Sequence, residues 1–251
     1  MSGIALFFIT IIGLPVLYKL VTIAPTCHDG IQNQNETMVD RGGPCLLLDP
    51  STLQPYAILW ARSFQVRDGS YNSVAYISNA NRDAGVARAR YEFSLYDSQN
   101  ILIATKVGET FIMPGGVTPV FVSGLDTGNR LVAHTNFKIT DQRLNWERTV
   151  ASKGLISVSN EETSDINTMP RIAAIVRNTA VADITQPVTF VAVVFDTAGN
   201  AYAASETQVD SLTAQGQATI VVTWPSPFVS AVGSIDIIPL RAPAPDPDAH
   251  R

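Results

Sequence analysis

The chain has 251 residues, a formal net charge of -5, 46% hydrophobic residues and 16% charged residues. That size holds one large domain or two small ones, and the composition is that of a globular chain, not a disordered one. Lys and Arg are scattered singly in an acidic chain, which argues against a nucleic-acid partner, since that would call for a clustered basic face.

The first element is apolar. "GIALFFITIIGLPVLYKLVTIA" fills residues 3–24, and about twenty residues of helix cross the roughly 30 Å hydrocarbon core of a bilayer. The run predicts one N-terminal transmembrane helix within residues 1–24, with Ile4, Phe7, Phe8, Ile11, Leu14 and Leu17 as its anchoring side chains against membrane lipid. Lys19 and Tyr18 suit the interface at its end. A cleaved signal peptide is the competing reading. It would want positive charge before the run, where "MSG" offers only the terminal amine, and Pro25 follows its best cleavage point.

Residues 25–50 come next, a polar loop bounded by the chain's two cysteines, Cys27 and Cys45. In an exported chain two cysteines more often pair than stay free. A bridge here would contribute roughly 3 kcal/mol through the unfolded state. Two thiols with only His28 nearby argue against a zinc site. Asp29, Asn33, Asn35 and Asp40 offer oxygens that could wrap calcium, although the spacing is not that of an EF-hand. The competing reading is a run of Asx-turns capping their own backbone. Asn35-Glu36-Thr37 also satisfies the N-glycosylation pattern.

The loop resembles the segment C-x-D-G-x-x-N-x-x-E-x-x-V-D-C-G-G-x-C-x-x-C of many bacterial exported proteins. The shared positions are Cys27, Asp29, Gly30, Asn33, Glu36, Val39, Asp40, Gly42, Gly43 and Cys45. Arg41 and Leu48 replace two of that segment's cysteines, so the resemblance implies a single retained bridge.

The body contains two copies of one pattern. Asn79 precedes Asp97 by 18 residues, and Asn178 precedes Asp196 by 18. Ile112, Gly116, Val120 and Val122 match Leu212, Gly216, Ile220 and Val222 one hundred positions on. Within a copy the pattern has period two: in "TFVAVVFD", Thr189, Val191 and Val193 face one way, and Phe190, Ala192 and Val194 the other. With both faces apolar, this is a central strand. "DSQN" and "DTAGN" are hairpin turns. Short strands separated by such turns predict two tandem Ig-like β-sandwiches, over 52–142 and 146–241, joined end to end as a stiff rod.

"FSLYD" carries Phe93, Leu95, Tyr96 and Asp97 and resembles the signature of bacterial FxLYD-type Ig-like domains; the second copy keeps Phe195 and Asp196 in "AVVFD". That resemblance implies an all-β membrane-anchored surface protein and brings no catalytic residues. The tail "RAPAPDPDAHR", with residues 242–251, reads as a disordered end.

No hydrolase elbow, zincin motif or phosphate-binding loop occurs in the chain. His134 in "LVAHTNFKI" reads as a solvent-facing strand residue, and Trp60, Trp146 and Trp224 as plugs of the sandwich cores or of their junction. The expectation is a non-enzymatic, single-pass cell-membrane protein with its bulk outside the cytoplasm. Its role would be structural, spacing or adhesive, with another surface protein or envelope component as partner. The alternatives are a subunit of a helix-mediated filament or membrane complex, and a ligand- or calcium-binding accessory.

Overall fold

The computed structural model describes residues 12–13, 26–150 and 155–250. Thirteen strands follow one another: β1 (Ala57–Arg67), β2 (Ser70–Asn79), β3 (Ala84–Tyr96), β4 (Leu102–Ile112), β5 (Gly116–Asp126), β6 (His134–Ile139), β7 (Glu147–Arg148), β8 (Ile156–Ser164), β9 (Arg171–Asn178), β10 (Val188–Phe195), β11 (Ala201–Val209), β12 (Gln217–Thr223) and β13 (Ser234–Leu240). The fold is all-β and sandwich-like. Among the described residues no helix is long and apolar enough to cross a membrane. The anchoring residues Ile4, Phe7, Phe8, Ile11, Leu14 and Leu17 lie outside the described residues.

Four antiparallel sheets form, and they come in two matched sets. In the first half the order is β1-β2-β5 and β4-β3-β6, with β7 added to β3. In the second half it is β8-β9-β12 and β11-β10-β13. Apart from β7, each strand therefore has a counterpart in the other half, in the same position of the same sheet. Even the irregularities match: the register slips between Leu95 and Tyr96 on β3, and between Val194 and Phe195 on β10. These bulges carry the chain into the two Asp-containing turns.

Period-two alternation sends one face of each sheet inward. In the first half Ala75, Ile77, Phe93, Leu95, Val120 and Phe137 close one core. In the second, Ile172, Val176, Phe190, Val194, Ile220 and Val222 close another. Fully burying a side chain of this size is worth about 1.5–3 kcal/mol, so each pair of sheets has its own hydrophobic reason to stay together. The signature Phe93 packs against Phe137, with ring centroids 4.7 Å apart. In the second half Ala192 faces Ile237 across the same strand pair, and Phe190 supplies the bulk from the neighbouring position.

A third core lies between the halves. Val74 and Tyr76 on β2 meet Val191 and Val193 on β10, together with Ala201 and Ala204 on β11, and Trp60, Phe64, Phe121 and Phe195 pack around them. This is why "TFVAVVFD" is apolar on both faces: one side fills its own sandwich and the other fills the junction. Sheet β1-β2-β5 stacks on sheet β11-β10-β13, giving four layers. The two sandwiches thus lie face to face, which corrects the expectation of an end-to-end rod.

Two further expectations change. Trp146 belongs to the first core, not to the start of the second sandwich, and β7 pairs with Ala84 and Gly85 on β3. The tail is not a disordered end over its described residues. The backbone N–H of Asp246 donates to the Arg148 carbonyl and that of Val150 to the Ala244 carbonyl, while His250 exchanges bonds with the 44–46 segment, its N–H reaching the Pro44 carbonyl and its carbonyl accepting from Leu46. Gly85 makes room for this path, because a Cβ there would stand 2.8 Å from the Pro243 Cβ.

Candidate functional site

The sequence-derived candidates fall in three places: the cysteine loop, the paired Asp turns and the junction. The turns are positioned by their strands. Asp97 Oδ1 accepts from the N–H groups of Gln99 and Ile101, both at 2.9 Å. Asp196 Oδ1 accepts from Ala198 at 2.9 Å and Asn200 at 2.8 Å. Asn100 and Gly199 take the left-handed backbone that closes each turn, at φ 61° and 80°. The backbone donors, Asn200 foremost, hold the Asp196 carboxyl below its ordinary range. Both aspartates are committed to capping their turns. Tyr96, next to Asp97, stacks on His134 at 4.8 Å between centroids, and His134 is exposed.

Asn79 and Asn178 do more than the sequence suggested. Each is buried to within 1% of its surface. Asn79 Nδ2 donates to the carbonyls of Ala84 and Met113, and its Oδ1 accepts from the Asn81 N–H. Asn178 Nδ2 donates to the carbonyls of Ala182, Leu212 and Thr213, and its Oδ1 accepts from the Ala180 N–H. One side chain at the same corner of each sandwich thus satisfies main-chain groups from two loops, which would otherwise be buried without partners.

The loop of residues 26–49 is closed by a Cys27–Cys45 disulfide, with Cα atoms 5.6 Å apart and both residues buried. Its organising carboxylate is Glu36, 6% exposed. Oε2 accepts from the N–H groups of Asn33 and Asp40 at 3.3 and 3.1 Å. Oε1 lies 3.2 Å from Cys45 Sγ, a contact and not a hydrogen bond, since a disulfide sulfur bears no proton. The ligand atoms of Cys27, Glu36 and Cys45 all lie within 4.8 Å of one another, but with the sulfurs bonded to each other neither is a thiolate.

Of the four oxygen-bearing residues singled out for calcium, three are drawn together. Asp29 Oδ2 accepts from Asn33 Nδ2 at 2.8 Å and from the Thr26 N–H, and its Oδ1 accepts from the Ile31 N–H. Both Asp40 oxygens face the Gly30 N–H at 3.2 Å. Asn33 foremost, with those backbone donors, lowers the Asp29 pKa. Asn35 stands apart at φ 65°, and its side chain makes no hydrogen bond among the described residues. A cation would have to displace the backbone donors from both aspartates.

The loop is fastened to the first sandwich. The Leu48 N–H donates to the Trp146 carbonyl and the Arg148 N–H to the Leu46 carbonyl, and Arg148 Nη2 reaches the Gly43 carbonyl at 2.8 Å. Sequence reasoning placed Glu36 in the motif but missed its burial. It also missed the polar contact in the junction, where the Tyr76 hydroxyl donates to Asp236 Oδ2 at 3.1 Å across the two halves. Burial, then the Asp236 charge, pushes the Tyr76 pKa well above the usual phenol range.

No protein-family model matches this chain, and no curated protein matches it. Among solved structures, a transglutaminase from red sea bream aligns with 76% of this chain at 9% identity and a TM-score of 0.23. The alignment spans 30% of that structure, and a likeness so slight carries nothing about fold or activity.

Proposed function

We propose that this chain is a membrane-anchored extracytoplasmic protein with an adhesive or structural role, built from two Ig-like sandwiches. The observation that carries the reading is the buried Cys27–Cys45 disulfide directly after the apolar residues 3–24. Such bridges persist in oxidising compartments, and a long apolar stretch before one is the order expected of an anchor. The Ig-like assignment is supported by strand order: β1-β2-β5 facing β4-β3-β6 follows Ig strands A, B and E facing C, C′ and F, without a final strand. Four stacked sheets offer broad faces and little reach, which favours holding a protein partner over spacing.

Protease treatment of intact cells expressing a C-terminally tagged chain tests this. The tag is expected to be cut without permeabilisation, and a tag that stays protected overturns the reading.

A second reading, cation binding in the cysteine loop, is favoured by one observation. The buried Asn33 Oδ1 has no hydrogen-bond partner among the described residues. Calcium should then raise the melting temperature of the wild-type chain but not of Asp29→Ala; equal melting with and without calcium removes the idea.

A further inference from the structure

Where the two halves meet beside β4 and β11, a groove of about 520 Å³ opens, lined by both: Tyr91, Phe111 and Phe121 from the first, Pro187, Glu206 and Leu240 from the second. Its volume is that of a small-ligand site, and such sites favour domain junctions. The lining mixes apolar side chains with polar ones, and two of the polar residues, Glu206 and Tyr91, stand out.

Glu206 and Tyr91 both break the internal repeat. The pair Glu92–Val107 on β3 and β4 corresponds to Val191–Glu206 on β10 and β11, so the carboxylate has changed strands. Glu92 has partners: Lys138 Nζ at 2.9 Å and the Ser94 hydroxyl. Glu206 makes no hydrogen bond or ion pair among the described residues. It stands at the mouth of the groove beside the apolar junction, and desolvation there raises its pKa. Tyr91 corresponds to Phe190, which has no hydroxyl. The Tyr91 ring is buried, and it reaches the groove by lying across Gly108 on the neighbouring strand, where a Cβ would stand 2.5 Å from its oxygen. That hydroxyl has no partner among the described residues either, and the Glu206 charge helps to raise its pKa, after burial.

Glu206 is exposed, so its carboxylate is open to a ligand arriving from solution. The other charged groups of the groove do not pair with it. Glu109 is held by Arg88 and Arg90, and Arg241, also in the lining, has no ion pair among the described residues.

We infer that this groove binds a single cationic group on an aliphatic stem, an alkylammonium or guanidinium, with Glu206 as its counter-ion and the Tyr91 hydroxyl beside it. The aromatic and proline walls would take the stem and favour the charge at its end. Resting on the protein-binding reading above, the source we favour is a Lys or Arg side chain of a partner.

The test is an NMR titration of the full chain with N-acetyl-lysine methylamide, a lysine-containing pentapeptide, butylamine, and N-acetyl-norleucine methylamide as the uncharged control. Saturable shifts confined to groove amides are expected with the three cations and not with the control. Glu206→Gln should weaken binding at least ~10-fold, and Tyr91→Phe by less. Tighter binding of the pentapeptide than of butylamine assigns the cation to a protein partner; equal binding assigns it to a free amine, with the groove inference intact. No saturable shift, equal binding of the norleucine control, or an unchanged affinity in a folded Glu206→Gln chain overturns the inference. These outcomes are independent of localisation, so a protected tag on cells would remove the anchoring reading and leave the groove standing.

Discussion

The two halves of the molecule share strand order, corner asparagines and capped turns, yet their corresponding outer faces are opposites. On β3 and β6 the face turned away from the core carries the ion pair Glu92–Lys138 and, buried beside it, Ser94, whose hydroxyl donates to Glu92. The equivalent positions on β10 and β13 are Val191, Val193 and Ile238, all in the junction. The other pair of sheets is reversed. Val74, Tyr76 and Phe121 fill the junction from the first half, whereas their counterparts Ala173, Ile175 and Val221 form the half-exposed outer surface of the second. The difference teaches what a duplicated sandwich must solve. An interface between unlike faces repeats without end if every copy keeps both faces sticky. The ion-paired face of the first half breaks that repetition at one end, as a capping repeat does in a solenoid.

The comparison can be broken by giving one half the other's chemistry. Val191→Glu places the Glu92 carboxylate in the junction without Lys138, an uncompensated buried charge that should cost about 3–5 kcal/mol. The halves should part while their own cores hold, so small-angle scattering would report a larger radius with the far-ultraviolet spectrum unchanged. An unchanged radius would show that the third core does not hold the halves together. Cys27→Ser should cost about 3 kcal/mol and act on one end only. Hydrogen exchange at Leu46 and His250 is expected to speed up while β3 and β10 stay protected, and loss of protection on β10 would mean that the loop supports both halves.

Asn178→Ala leaves buried carbonyls unpaired and should cost about 2–3 kcal/mol. Asn79→Ala, at the matching corner, should cost a similar amount by thermal melting, and a neutral result at either corner would end their equivalence. Tyr76→Phe should cost about 1–2 kcal/mol through loss of its bond to Asp236. Because the folded state raises the Tyr76 pKa, that contribution is intact below the ordinary phenol value of about 10 and is lost as pH rises through the raised one. Alkaline melting of wild type and Tyr76→Phe should therefore converge. The smallest effect belongs to Asp196→Asn. The folded state lowers the Asp196 pKa, so its contribution is present above about 3.9 and is lost as pH falls through the lowered value. The variant should be less stable at neutral pH, with the difference shrinking in acid.

Much of the fold was legible because duplication and period two are properties of the string. "DSQN" and "DTAGN" announced hairpins, and the Asp97 N–H to Ile101 carbonyl and Asp196 N–H to Asn200 carbonyl bonds close them. "TFVAVVFD" announced a strand buried on both faces, but alternation cannot say what covers the second face. That cover is Val74 and Tyr76, more than one hundred residues earlier in the chain. Trp146 was misplaced because a lone tryptophan near a boundary has no period. The order of the tail was invisible for a different reason: main-chain bonds to residues 44–46 and 148–150 hold it, and these leave no trace in side-chain hydropathy. Glu36 was legible as a motif letter, while its burial depended on the disulfide folding the loop around it. The groove escaped notice because Tyr91 and Glu206 are ordinary residues in ordinary strands, and only superposing the copies marks them as departures.

The pairing of His250 with the segment at Cys45 has a mechanical meaning. Tension applied between the two ends of the described body enters at the cysteine loop and leaves at the adjacent tail, a path that bypasses both sandwiches. A few backbone hydrogen bonds at Pro44, Leu46, Arg148 and Val150 form the weak link. Under load the tail should peel away first, lengthening the tether while each β-sheet stays intact and ready to rebind.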